Sequence, residues 1–255
     1  MNSDAEGPDV LRVVWITGGV FASSEPGRSV VEVKAGTNGS TIRTLVISSY
    51  PILFQILQQE GFQLIGVNFV PEPARLPRLN RPEFRTFTPN KGWLPYNVKH
   101  KWRQVAVAAG RKSQMDLMDI ASRIASGLSY AESRLGDLAR AYSFQLGARV
   151  HQNEISEYQT FKDQNGFEVY KSIHSLFWEL SVLRDALAQF LGSFCFSRPE
   201  IRSMKGLLKV LRGWTSRDTL ADEILRITDQ ASGGWLGKFT AYRNCFTHLA
   251  PLEQA

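Results

Sequence analysis

KSQMDLMDIASRIASGLSYAESRLGDLARAYSFQLGARV, residues 112–150, fixes the character of the C-terminal part of this chain. Leu117, Ile120, Ile124, Leu128, Ala131, Leu135, Leu138 and Tyr142 recur three or four positions apart. That spacing puts them on one stripe of a long amphipathic helix. Gly127 and Gly136 fall inside it and are expected to bend it. HQNEISEYQTFKDQNG, residues 151–166, is polar and reads as a loop or a weaker helix. Residues 167–196 form a second strong helix, apolar on most sides (Ile173, Phe177, Leu180, Leu183, Leu187, Phe190, Phe194), and so expected to be central. A third helix is expected from about Pro199, with proline at its first position, and another over Arg217–Asp229. With a last helix near the C-terminus, four or five helices fit an antiparallel bundle.

Upstream the periodicity changes. LRVVWITGGVF and SVVEVKAG are rich in Val and Ile and read as strands. TIRTLVIS follows an Asn-Gly turn signal, so residues 29–47 form a hairpin. PILFQILQQEG is a short helix opened by Pro51 and stopped by Gly61, and FQLIGVNFV is a fourth strand. GGVFASSEPGRS lacks the lysine and spacing of a phosphate loop and reads as a loop. The expected fold class is α+β. Residues 1–72 are a small α+β module, 73–109 a basic, Pro-rich connector, and 110–255 a helical domain. Pro71, Pro73, Pro77, Pro82, Pro89 and Pro95 make that connector irregular or extended.

The connector also concentrates charge. The chain's net charge is +6, and residues 73–103 alone carry Arg75, Arg78, Arg81, Arg85, Lys91, Lys99, Lys101 and Arg103 against Glu83. Phe84, Phe87, Trp93, Tyr96 and Trp102 are interleaved with them. Cations beside ring faces suit a single-stranded nucleic acid, contacting phosphates and bases separately. A solvated basic linker is the alternative. No run is long and apolar enough for a membrane span, and no secretion signal opens the chain. Two cysteines, Cys195 and Cys245, are no disulfide framework and point to a reduced, cytoplasmic setting. Their aromatic neighbours mark them as small buried hydrophobes. His100, His151 and His174 are scattered, so no metal or cofactor ligand set is read. His174 is expected in the core.

FTAYRNCFTHLAP, residues 239–251, brings Arg243, Asn244, Thr247 and His248 together. On a helix, Trp235, Phe239, Tyr242, Phe246 and Leu249 make an apolar stripe, and the four polar residues fan across the other side. A permanent cation suits phosphate, and an imidazole moves protons near neutral pH.

Arg243, Asn244 and His248, with four residues between Arg and His, resemble the motif of the HEPN family (higher eukaryote and prokaryote nucleotide-binding domains). The resemblance covers about residues 110–250. It implies a helical bundle that dimerises and cuts RNA without a metal, through Arg243, His248 and Asn244 at the dimer interface. It also implies a toxin or antiviral-defence setting, with an antitoxin or defence-complex protein as partner. Thr247 is expected to orient the site. Acidic residues on the central helix are implied to approach the motif, which adds Glu179 and Asp185 as auxiliaries; an internal ion pair is the alternative for them. Two other functions stay open: a non-catalytic nucleic-acid or nucleotide-binding module, and a helical protein-interaction adaptor.

Overall fold

The structure is a computed structural model that describes residues 10–24, 29–37, 39–48, 50–71, 83–88, 92–93, 97–152, 163–229, 231 and 233–246. The fold is α+β: an antiparallel sheet near the N-terminus followed by a helical region. The chain divides into two compact units, residues 1–96 with 132–172, and residues 97–131 with 173–255.

Among the described residues the first unit has seven strands: β1 (Val10–Ile16), β2 (Val20–Ser24), β3 (Val30–Ala35), β4 (Thr41–Val46), β5 (Leu64–Pro71), β6 (Glu83–Thr88) and β7 (Gly92–Trp93). Their order across the sheet is β4-β3-β2-β1-β5-β6-β7, each pair antiparallel. Alternation sorts the side chains onto two faces. Val14, Ile16, Ala22, Val31, Val33, Leu45 and Val67 bury one face against Leu53, Phe54 and Leu57 of helix α1 (Tyr50–Gln59). Trp15 and Phe84 bury the other against Ala139 and Leu135. Those two belong to α3 (Met115–Gln152), one unbroken helix. Its glycines, expected to bend it, do not interrupt it. They admit neighbours: a methyl at Gly136 would stand 2.9 Å from Phe84 Cγ, and one at Gly127 would stand 3.2 Å from Leu183 Cδ1.

The turn between β3 and β4 docks on the same helix. Thr37 N–H donates to the Ser143 carbonyl at 3.0 Å, and the Thr37 and Ser143 hydroxyls lie 3.2 Å apart. Two glycines, Gly36 at φ +78° and Gly147, meet there backbone to backbone.

The sheet departs from expectation in two places. LRVVWITGGVF is two strands, because Gly18 and Gly19 take φ of +75° and +86° and reverse the chain. The expected loop from Gly18 to Ser29 therefore contains β2. The stretch expected as an irregular connector contains β6, β7 and nearly all of α2 (Asn97–Arg111). Phe84 facing the core explains β6: one buried aromatic and pairing with β5 outweigh the prolines around it.

The second unit is helical: α2, the first part of α3, the second part of α4 (Gln164–Phe190), α5 (Met204–Arg212), α6 (Thr219–Thr228) and α7 (Trp235–Asn244). Ile120 and Ile124 of α3 pack on Leu183 and Ala186 of α4. Ala188, Met204, Leu207, Leu211, Ala221, Ile224 and Leu236 form the second core. A π-helical turn, Leu191–Cys195, extends α4. The helix expected at Pro199 starts later, at Met204. Ser203 supplies the N-cap by accepting from Gly206 N–H at 3.2 Å, while Pro199 sits in the preceding turn. Asp218 caps α6 by accepting from Ala221 N–H at 2.7 Å. No described helix is long and apolar enough to cross a membrane.

Candidate functional site

Helix α7 carries the described half of the motif. Its buried residues are Leu236 and Gly237, with Phe239, Thr240, Arg243 and Phe246 half-buried. Trp235 and Tyr242 are 64% and 62% exposed. The helix is thus turned by about one residue from the expected stripe. Leu236, Thr240 and Arg243 recur at i, i+4 and i+7, so Arg243 lies on the inner arc and not opposite the aromatics.

Leu236 joins the second core, which sets this turn, and Phe177 of α4 packs on the same side of α7. Its ring lies 5.3 Å from Phe239 and 5.4 Å from Phe246. Arg243 stands between those two on the same arc of α7. The residue is half-buried, and its guanidinium donates from Nη1 to Asn244 Oδ1 at 3.2 Å. A long side chain whose stem packs while its charge stays near the surface is the usual compromise for arginine. The arrangement holds a cation beside an exposed amide at the C-terminal end of the helix. There the chain widens into a π-helical turn at Cys245 and Phe246. Thr247 and His248 lie outside the described residues.

The acidic auxiliaries do not join Arg243. At about 100° per residue, Glu179 falls nearly opposite Phe177 on α4. It shares a side with Leu183 and Ala186, which pack against α3. Asp185 accepts from Met204 N–H at 3.0 Å and from Arg184 Nε at 3.2 Å. It therefore fixes the start of α5 to α4. Asp185→Ala is expected to lower stability by about 1 kcal/mol, since the carboxylate is partly exposed and a cap bond of this kind has that worth. Thermal melting checks this. An unchanged melt would remove the structural role.

Of the basic residues, Arg75, Arg78, Arg81 and Lys91 lie outside the described residues. Arg85 is on β6, in register with Val67. Lys99, Lys101 and Arg103 are on α2 in the other unit. Lys99 and Arg103, four apart, share a helical face, and Lys101 does not. Arg103 Nη2 reaches Ser129 Oγ at 3.5 Å. The eight cations are thus divided between a strand, a helix and undescribed chain.

Three expectations about isolated residues change. Cys195 and Cys245 are exposed, not buried, and both are free thiols. Burial of part of its surface, and then the negative charge of Asp218, push the Cys195 thiol up from its ordinary value. His174 is exposed on α4. Among the described residues, no group of three His, Cys, Asp or Glu can hold a metal.

One feature had no signature in the sequence. The helical unit holds a cavity of about 280 Å³ with walls that include Trp102, Leu187, Phe190, Met204, Trp235 and Phe239. Trp102 meets Phe190 edge-on at 4.8 Å. The walls come from α2, α4, α5, α6 and α7, so no single periodicity announces it.

A scan of family models, a search of curated proteins and a search of solved structures each return no match for this chain.

Proposed function

We propose that the helical unit is a metal-independent endoribonuclease, in which Arg243 and His248 act with their copies from a second subunit. The resemblance of Arg243, Asn244 and His248 to the HEPN motif suggests it. The observation that carries it is the placement of the guanidinium: Arg243 lies on the arc of α7 that also carries Phe239 and Phe246, whose rings meet Phe177, and it donates to Asn244 Oδ1. A cation fixed before substrate arrives stabilises developing negative charge without reorganising.

The chemistry is transesterification. A ribose 2′-oxygen attacks the adjacent phosphorus, and the bond from phosphorus to the 5′-oxygen breaks. One imidazole takes the 2′-proton, and another gives a proton to the leaving 5′-oxygen. A single histidine cannot be base and acid in one step. His248 of the partner subunit supplies the second role. Arg243 neutralises charge on the non-bridging oxygens. The products are a 2′,3′-cyclic phosphate and a 5′-hydroxyl. The toxin or antiviral-defence setting, an antitoxin or defence-complex partner, and RNA contact by the basic stretch belong to the same proposal.

The test is cleavage of single-stranded RNA in excess chelator. Cutting with cyclic-phosphate ends is expected, blocked by a 2′-deoxy sugar at the scissile position. Cutting that needs a divalent ion, or that leaves 5′-phosphate ends, would refute it.

The cavity and the exposed Trp178, Trp235 and Tyr242 favour a second reading, a helical adaptor that takes an apolar group of a partner. An adaptor shows no cleavage at all.

A further inference from the structure

The cavity of the helical unit exceeds what imperfect packing leaves behind. Voids in protein interiors are few and rarely much larger than a water molecule. A dry apolar cavity of about 150 Å³ already takes up benzene. This one is about 280 Å³. A space of that size left unfilled weakens a fold in proportion to its volume, so an occupant that matches the walls is stabilising.

The walls are held in place by contacts of their own. Met204 is fixed at its N–H by Asp185 at 3.0 Å. Phe239 lies 5.3 Å from Phe177, and Trp102 meets Phe190 edge-on at 4.8 Å. Ile224 and Leu236 belong to the second core. Closing the cavity would break these contacts, so the site is formed before anything enters it. Trp235 lines it and is 64% exposed, so it reaches solvent beside that indole. Leu191, also in the wall, opens the π-helical turn Leu191–Cys195. Such turns recur at functional sites.

The chemistry of the walls selects the occupant. Their surface is carbon almost throughout. Arg184 is the one charged residue among the described walls, and its Nε is committed to Asp185 Oδ1 at 3.2 Å. An ion or a strongly hydrogen-bonding molecule would lose its water there and gain no partner. A hydrocarbon gains dispersion contacts and leaves water. Trp102, Phe190, Trp235 and Phe239 offer faces and edges to a flat ring. We propose that the cavity is a binding site for a small, neutral, flat hydrophobic molecule. Nearly twice the benzene volume sets its size at two fused rings, about ten carbon atoms. Binding needs neither RNA nor a second subunit, so it stands or fails apart from cleavage.

The experiment titrates the full chain with naphthalene and follows methyl NMR and thermal melting. Saturable binding is expected, with contacts from the naphthalene protons to the methyls of Leu187, Ile224 and Ile227. The melting temperature is expected to rise with naphthalene concentration. Naphthalene-2-sulfonate, the same rings with a charge, is expected to bind at least about tenfold more weakly. Pyrene, with four rings, is expected to be excluded. Ile227→Phe fills part of the space from α6 and is expected to weaken naphthalene binding by at least about tenfold. Leu187→Phe does the same from α4 should the first variant misfold. An absence of saturable binding, contacts to other methyls only, or equal affinity for the sulfonate or pyrene overturns the site. So does naphthalene binding that is undiminished in both filled variants.

Discussion

Gly147→Ala is expected to destabilise the sheet unit by about 3 kcal/mol. The reason is geometric. A methyl on Gly147 would overlap the Thr37 carbonyl oxygen, and one on Gly36 would overlap the Gly147 backbone nitrogen. Both obstacles are main chain, so no rotamer relieves them. The β3–β4 turn must lift from α3, and the Thr37 N–H to Ser143 bond at 3.0 Å goes with it. Gly36→Ala has a further penalty of about 1 kcal/mol, because its φ of +78° is left-handed. Gly206→Ala is the control. A methyl there meets only Ser203 Oγ at 3.6 Å, inside a helix, and gains roughly 0.5–1 kcal/mol. Urea unfolding of the three variants measures this. A Gly147→Ala midpoint equal to that of the parent chain would mean the turn and helix are not in contact.

His248→Ala is expected to slow RNA cleavage by about 10³-fold or more, and Arg243→Ala by about 10²–10³-fold. A thousandfold is about 4 kcal/mol of transition-state stabilisation. The two losses have different origins. Without the imidazole, the 2′-proton has no acceptor, and binding stays within about tenfold. Without the guanidinium, charge on the phosphoryl oxygens goes unmatched, and a lysine restores little because its point charge lacks the planar fork. Single-turnover rates with saturating RNA separate chemistry from affinity. Binding itself is expected to weaken steeply with salt, through the cations of residues 73–103. If His248→Ala cuts RNA at the parent rate, the last helix is not a catalytic element.

Local periodicity carried the long elements. The apolar spacing from Leu117 to Tyr142 gave α3, and the Asn-Gly signal between two Val- and Ile-rich runs gave the β3–β4 hairpin. What escaped depends on tertiary pairing. EFRTFT in β6 is a strand because β5 is there to receive it and Phe84 has a core to enter. The prolines around it are local signals and point the other way. Gly18 and Gly19 hid a hairpin inside a run that is continuous in hydropathy. At Pro199, a helix-start residue competed with Ser203, and the side-chain cap decided. The site shows the same limit. Arg243 and Asn244 were found as neighbours, but two overlapping arcs of α7 are nearly equally apolar. The choice of Leu236 over Trp235 as the buried residue comes from the second core, which Leu236 joins with residues of α4, α5 and α6. Asp185 was legible as a charge in an apolar helix. Its partner, a main-chain N–H nineteen residues on, was not.

Trp235 at the wall of the cavity is 64% exposed, which makes it a built-in optical gauge. Water around an excited indole moves its emission to longer wavelength, and an apolar molecule seated against it reverses that. Trp15, shielded in the sheet unit at 7% exposure, supplies a steady reference. A blue shift on titrating a small non-fluorescent hydrocarbon such as cyclohexane, reduced in Trp235→Phe to whatever Trp102 in the same wall contributes, would report occupancy without any label.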